Sequence, residues 1–238
     1  NKINLLVTAP INKNNIQSEN FKFPGHTDYL AEELDGESLM FMICDELKIG
    51  LLTDHVALKE INTHVTKQRI EQKFSLINES LNKDFGIQKP KIAVLSIDPH
   101  AGDGGVIGKD DQDILKPVLL EIASKNNLVF GPFSSDSFFG SGQHKKYDAV
   151  LAIYHDQGLI PFKTLSFGTG VNYTAGLNKV RTSPDHGTGY DIAGKGLADS
   201  TSFKNAIFSA IEILKSRNLF EDLNKNSLNL SNSKTGKK

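Results

Sequence analysis

The feature that most constrains the fold of this 238-residue chain is the alternation of short apolar runs with longer segments of helical periodicity. The runs that have the length and composition of buried strands are residues 3–7, 39–43, 49–52, 91–97 and 149–154. The segments that repeat apolar side chains at helical spacing are residues 58–83, 110–125 and 202–217. Strands that alternate with helices predict an α/β architecture.

Three histidines follow the apolar runs closely: His55 after residues 49–52, and His100 and His155 after the last two runs. Ligands of open α/β sheets bind at strand ends, and neutral imidazole is the commonest ligand for borderline divalent metals. Three imidazoles would leave one position open for a substrate, so the pattern indicates a catalytic metal site. The competing interpretation is that each histidine is a hydrogen-bonded structural residue. Because the three are far apart in sequence, the fold or a subunit interface has to assemble any shared site.

Two further histidines, His26 and His186, lie in glycine-containing turns and are candidate ligand contacts, whereas His64 and His144 have polar neighbours and are predicted at the surface. The glycine-rich segments are residues 101–108 and 167–172. Backbone N–H groups in such segments can approach an anion closely, although a tight turn is the favoured explanation of these glycines. Lys163 and Arg181 would suit a phosphate and a carboxylate.

The composition excludes several classes of protein. The formal net charge of −1 gives no overall field for nucleic acid or an anionic membrane. Cys44 is the single cysteine, which rules out a disulfide framework and fits a reducing compartment. Without a long apolar span or a signal peptide, a cytoplasmic location is expected. Residues 224–238 are rich in Lys, Asn and Ser, and we expect a flexible tail there.

Several motifs together resemble the 4-hydroxythreonine-4-phosphate dehydrogenase family of vitamin B6 (pyridoxal phosphate) biosynthesis. The motifs, in the order typical of that family, are Gly25-His26-Thr27, Thr53-Asp54-His55, Asp98-Pro99-His100-Ala101-Gly102, Tyr154-His155-Asp156-Gln157-Gly158, Arg181-Thr182-Ser183 and Asp185-His186-Gly187-Thr188. Residues 186–196 also resemble the cofactor loop of isocitrate and isopropylmalate dehydrogenases, which bind NAD without the usual dinucleotide fingerprint. The resemblance implies a two-domain, three-layer α/β/α fold of that type.

Carried over position by position, the resemblance implies a role for each motif. His55, His100 and His155 would bind a divalent metal such as zinc, magnesium or cobalt. The implied substrate contacts are His26, Thr27, Lys163, Asn172 and Arg181. The implied contacts for the adenosine end of NAD or NADP are His186, Gly187, Thr188, Asp191, Ile192 and Ala193. Asp156 stands beside a metal ligand; we interpret it as a group that orients the imidazole rather than as a base, and the general base is not assigned.

The resemblance also implies an organisation for the chain. Family members are longer, and the additional part is expected before Asn1, so the N-terminal portion of the fold would be missing. Residues 1–10 and 158–223 would form an incomplete cofactor-side domain, and residues 11–157 the metal- and substrate-binding domain. The family is a homodimer whose metal site lies at the subunit interface, which would explain the wide separation of the three histidines. No nucleic-acid or membrane partner is expected.

The implied activity is metal-dependent, NAD(P)-linked oxidation of 4-phosphooxy-L-threonine, followed by decarboxylation. Two alternatives remain open. A related dehydrogenase of another four-carbon acid phosphate, such as threonate or erythronate 4-phosphate, would carry the same metal and cofactor motifs. A non-catalytic metal- or phosphate-binding fragment would retain affinity for these ligands without NAD-linked turnover.

Overall fold

The computed structural model describes residues 3–19, 21–23 and 25–225, and in this part of the chain the strands form one mixed sheet. The strands are β1 (Leu5–Val7), β2 (Gly36–Ile43), β3 (Lys48–Leu51), β4 (Lys91–Leu95), β5 (Leu128–Phe133), β6 (Ala149–Ala152), β7 (Val171–Leu177) and β8 (Val180–Pro184). Their order across the sheet is β1-β8-β7-β2-β3-β6-β4-β5.

The three strands that precede the candidate metal histidines are neighbours in this sheet. β6 pairs in parallel with β3 on one side and with β4 on the other. All four residues of β6 are buried, which fits a strand covered on both faces. Because the carboxyl ends of β3, β4 and β6 lie at one edge of the sheet, the segments that carry the histidines leave the sheet side by side.

Helices cover both faces of the sheet, which confirms the predicted three-layer α/β/α arrangement. The helices are α1 (His26–Glu33), α2 (Ile61–His64), α3 (Lys67–Lys83), α4 (Lys116–Ser124), α5 (Ser135–Gly140), α6 (His155–Leu165) and α7 (Thr201–Lys225). Short helical turns span Leu58–Glu60, Pro99–Gly105, Asp111–Leu115, Gln143–Lys146 and Tyr190–Ile192. One core cluster joins the sheet to α3, α4 and α7, and a second joins it to α5 and α6.

The prediction of one continuous helix over residues 58–83 was wrong. Val65 leaves the helical conformation with ψ of 83°, and Thr66 is extended. The Thr66 hydroxyl then accepts a hydrogen bond from the backbone N–H of Arg69 and caps the start of α3. The apolar periodicity continues across the break because Val65 is itself buried, so the spacing alone does not reveal it.

Other differences fall after residue 127. The sequence did not predict β5, β7 or β8; the last two contain Asn, Thr, Ser and Gly residues that resemble turns. His144 is only 4% exposed, so its predicted surface position was wrong. Its ring packs near Phe139, which the polar neighbours in sequence do not indicate. α7 continues to Lys225, and the rest of the predicted tail lies outside the described residues.

The predicted division into two domains stays a prediction. β1, β7 and β8 belong to the proposed cofactor side and the remaining strands to the other, yet all of them pair within the same sheet. Among the described helices, none combines the length and the apolar character that crossing a membrane requires.

A buried ionic cluster ties two helices to the sheet. Arg217 of α7 donates to the carboxylate of Asp84, which follows α3, at 2.6 Å, and to the hydroxyl of Tyr173 in β7 at 2.7 Å. Asp84 also accepts hydrogen bonds from Tyr173 and Ser80. Since the Arg217 and Asp84 side chains are 6% and 2% exposed, each charge depends on the other for compensation.

We predict that Arg217→Ala destabilises the fold by about 3–5 kcal/mol, because it leaves the Asp84 carboxylate buried without its counter-ion. The free energy of unfolding from urea titration measures this loss. Lys215→Ala is the matched control in the same helix: its ion pair with Glu212 is 67% and 70% exposed, and its loss should cost less than about 1 kcal/mol. Equal losses in the two variants would contradict the assignment.

Candidate active site

A cavity of about 360 Å³ lies where the chain leaves β1, β3, β6 and β8. Its lining includes every substrate contact that the resemblance implied, namely His26, Thr27, Lys163, Asn172 and Arg181. His55, His155, His186 and Gly187 line the same cavity. A larger cavity of about 770 Å³ beside the β2–β3 turn contains none of the predicted site residues. This larger cavity is therefore not the better candidate for the functional site, despite its volume.

Arg181 supplies a fixed positive charge to the cavity. Its guanidinium donates to the hydroxyl of Thr8 through two nitrogens, at 2.7 and 3.1 Å, and to Thr174 at 3.2 Å and Thr27 at 3.5 Å. Burial lowers the pKa of Arg181 to about 10, so the group stays charged at neutral pH. Because threonine hydroxyls accept from Arg181, their own O–H groups remain available as donors. No motif pointed to Thr8 or Thr174, because the fold alone brings these residues into contact with Arg181.

His26 and Asn172 add neutral polar groups. His26 opens α1, and burial followed by the charge of Arg181 lowers its pKa, which favours the neutral imidazole at pH 7. The side-chain oxygen of Asn172 is buried and has no hydrogen-bond partner among the described residues. A buried polar atom without a partner is costly unless a ligand or water completes it. The cavity therefore holds the positive charge of Arg181 and the unpaired acceptor oxygen of Asn172 at defined positions.

His55 and His155 face each other across the cavity, with ring centroids 5.9 Å apart and ring planes inclined by 35°. Nδ1 of His155 lies 2.7 Å from a carboxylate oxygen of Asp156. A metal-binding imidazole commonly uses one nitrogen for such a contact and the other for the metal. The pair therefore has donor chemistry that fits a borderline divalent metal, and the orienting role of Asp156 stays a prediction.

His100 lies apart from this pair and does not line the cavity. It belongs to a turn in which His100, Ala101 and Asp103 all have left-handed backbone conformations, with φ of 55°, 52° and 43°. Across residues 3–225, excluding 20 and 24, no three His, Cys, Asp or Glu side chains gather in a way that could hold a metal. Within one chain, the described residues thus bring two of the three predicted metal ligands together.

The histidine-bearing segments are held by hydrogen bonds around Ile153, just beyond β6. The carbonyl of Ile153 accepts from the backbone N–H and the hydroxyl of Thr53, at 3.1 and 2.7 Å. The N–H of Ile153 donates to the side chain of Gln157 at 2.6 Å. Gln157 in turn donates to the Ser96 carbonyl and the Ser135 hydroxyl, both at 2.8 Å. Thr53 and Gln157 stand inside the recognised motifs, but the sequence alone assigned them no role.

The implied cofactor residues form an exposed segment that leads away from the cavity. His186 and Gly187 line it, whereas Thr188, Asp191, Ile192 and Ala193 lie beyond its lining, around the turn Tyr190–Ile192. Asp185, immediately before this segment, also lines the cavity and was not predicted. The sequence signal that could have identified Asp185 was its place in the same motif as His186. The cavity wall continues into the segment, an arrangement that fits a cofactor bound beside a substrate.

Comparison with known proteins agrees with these features. The family model described as pyridoxal phosphate biosynthetic protein PdxA matches residues 1–210. The 4-hydroxythreonine-4-phosphate dehydrogenase of Bacteroides thetaiotaomicron is 51% identical over 90% of this chain and 60% of its own length. The crystal structure of the Klebsiella pneumoniae enzyme of that name has a TM-score of 0.75 and 36% identity, with coverage of 87% and 63%. The chain thus spans less than two thirds of the length of these relatives.

The isocitrate dehydrogenase of Methylococcus capsulatus is 14% identical, with a TM-score of 0.56 over 92% of this chain and 71% of that one. At this identity the likeness shows the fold alone, and it confirms the predicted isocitrate dehydrogenase-like α/β class. The family match covers most of the chain, and the Bacteroides thetaiotaomicron relative matches over a comparable span. The chain belongs to the family of the pyridoxal phosphate biosynthetic protein PdxA.

Proposed function

We propose that this chain carries out NAD(P)-linked oxidation of 4-phosphooxy-L-threonine to 2-amino-3-oxo-4-phosphooxybutanoate, which loses carbon dioxide to give 3-amino-2-oxopropyl phosphate. The observation that carries the proposal is the convergence of His26, Thr27, Lys163, Asn172 and Arg181 with His55 and His155 on one cavity. Its volume of about 360 Å³ lies within the range of small-molecule sites. The names of the relatives agree with this substrate.

The chain's own residues would bind and orient the substrate. Lys163 and Arg181 offer positive charge to the phosphate and the carboxylate, and the Thr27 hydroxyl offers a donor beside Arg181. Asn172 offers its unpaired side-chain oxygen to a substrate donor. Holding both ends of a four-carbon substrate positions the carbinol hydrogen for transfer, which contributes to the rate through orientation.

His55, His155 and His100 would hold the metal, and Asp156 would orient His155. When bound, a divalent metal would supply Lewis acidity towards the substrate hydroxyl, and NAD or NADP would supply the hydride acceptor. His186 to Ala193 would hold the adenosine end of the cofactor. Because His100 lies outside the cavity that contains the other two histidines, we infer that a second subunit supplies it, which requires a homodimer.

The proposed activity predicts that 4-phosphooxy-L-threonine reduces NAD to NADH, or NADP to NADPH, in the presence of zinc, magnesium or cobalt. Near-ultraviolet absorbance measures it, with the full-length Bacteroides thetaiotaomicron relative as the positive control. Lys163→Met should lower kcat/KM about 10- to 100-fold, because a charge-assisted contact is lost. Turnover that resists removal of the metal by a chelator would contradict the proposal, as would an absence of both turnover and substrate binding.

The shared metal site predicts that His100→Asn lowers zinc affinity at least about 100-fold, since even loss of an orienting partner commonly costs 10- to 100-fold. Asparagine tolerates the left-handed conformation at this position, so the change adds little backbone strain. Zinc titration calorimetry measures the loss, and His64→Asn is a matched control because His64 belongs to none of the predicted ligand motifs. Zinc affinity unchanged in His100→Asn would remove His100 from the ligand set.

A mixture of two inactive variants tests whether the site is shared between subunits. If His100 of one subunit completes the site formed by His55 of the other, mixed dimers of His55→Asn and His100→Asn contain one intact site and one doubly altered site. We therefore expect zinc binding and turnover to return when the two variants are unfolded and refolded together. A mixture that remains as inactive as its components, although mixed dimers form, would contradict the shared site.

A further inference from the structure

Arg69 of α3 contacts the segment that carries His55. Its Nε–H donates to the backbone carbonyl of Leu52 at 3.0 Å. Leu52 is fully buried and lies directly after β3, three residues before His55. A buried carbonyl needs a hydrogen-bond donor, because leaving it unpaired costs free energy. A charged donor such as guanidinium forms a stronger bond than a neutral one. Arg69 therefore fixes the point at which this segment leaves the sheet.

The break between α2 and α3 places a second acceptor beside Arg69. A terminal nitrogen of the guanidinium lies 3.2 Å from Nδ1 of His64, the last residue of α2. Since arginine only donates, the imidazole nitrogen is the acceptor. Residues five positions apart do not face each other on a continuous helix, so this contact depends on the extended Thr66 between the two helices. The guanidinium thus has two acceptors, which together fix its orientation.

The helix that carries Arg69 is itself anchored to the sheet. Lys73, one helical turn further along α3, donates to the backbone carbonyl of Ser38 in β2 at 2.9 Å. Burial lowers the pKa of Lys73, and the charge of Asp54, which lies beside His55 and lines the cavity, partly opposes this effect. The start of α3 is thus held on the sheet close to the cavity, so that the position of Arg69 is transmitted to Leu52.

We propose that Arg69 is a positioning residue for the proposed metal ligand His55: by holding the carbonyl of Leu52, it keeps this imidazole close to that of His155. The inference rests on the proposed function, because it gives Arg69 a role in metal binding. Ile153 holds the same segment from the neighbouring strand through Thr53, and Arg69 holds it from the helix layer. Removing a group that orients a metal ligand commonly lowers metal affinity about 10- to 100-fold.

The first measurement is the zinc affinity of Arg69→Met by titration calorimetry. Methionine keeps an unbranched side chain but offers no N–H donor. We expect zinc affinity about 10- to 100-fold below that of the wild type. Lys67→Met is the matched control, because it removes a cation from the same turn of α3 whose ion pair with Glu121 is exposed. An exposed pair contributes little, so this control should change zinc affinity by less than about threefold.

Amide hydrogen exchange in the metal-free protein gives a readout that does not depend on zinc. The N–H of Thr53, which donates to the carbonyl of Ile153, should exchange about 10- to 100-fold faster in Arg69→Met, because the segment opens more often. The N–H of Thr8, which donates to the carbonyl of Thr182, is the internal reference and should keep its rate. Equal acceleration at both amides would indicate a general loss of stability and would overturn the positioning role.

The outcomes separate this inference from the proposed function. Wild-type protein that binds no zinc would overturn both. Wild-type protein that binds zinc, with the same affinity retained in Arg69→Met, would overturn the role of Arg69 alone. In His64→Asn the amide oxygen still offers an acceptor to Arg69, so the bond to Leu52 and the zinc affinity should survive. If thermal unfolding shows that Arg69→Met does not fold, Arg69→Gln replaces it, with a shorter and uncharged side chain, and the same outcomes apply.

Discussion

The hydrogen bonds around Ile153 are the constraint on which the site depends. Its carbonyl holds Thr53, two residues before His55, and its N–H holds Gln157, two residues after His155. The side chain of Gln157 extends the connection to the end of β4 through Ser96 and to α5 through Ser135. Since these bonds lie at a buried strand end, where unpaired polar groups are costly, the segments carrying two candidate metal ligands have little freedom to separate.

Electrostatics divides the cavity into two groups of side chains. Arg181 is buried among threonine hydroxyls, and its charge helps to keep His26 neutral. Lys163 instead shares its surroundings with Asp185 and His186. The phosphate and the carboxylate of the proposed substrate would carry charges complementary to these two cations. The arrangement supports selection of substrates by charge and by donor number rather than by apolar contact, because a missing donor at a buried acceptor costs more than a missing methylene.

Much of the fold was predictable because a strand that is buried on both faces appears in the sequence as a run of mainly apolar residues. The strands at residues 91–97 and 149–154 are continuous apolar runs, and β4 and β6 form within them. β7 and β8 are harder to recognise in the sequence because they contain buried polar residues such as Arg181, which hydrogen-bonds to Thr8 at a separation of 173 positions. The buried position of His144 was missed because its sequence neighbours are polar, and the break at Val65 was missed because the buried Val65 keeps the apolar spacing across it.

The sequence by itself determined the α/β class, the strand-end positions of the three histidines, and membership of the family, because periodicity and ordered motifs are local properties. Only the tertiary structure decided which of these residues meet. It placed the rings of His55 and His155 5.9 Å apart, left His100 outside their cavity, surrounded Arg181 with three threonines, and brought the unpredicted Asp185 into the wall. These outcomes depend on strand order and pairing, which join residues a hundred or more positions apart, and no local pattern encodes such distances.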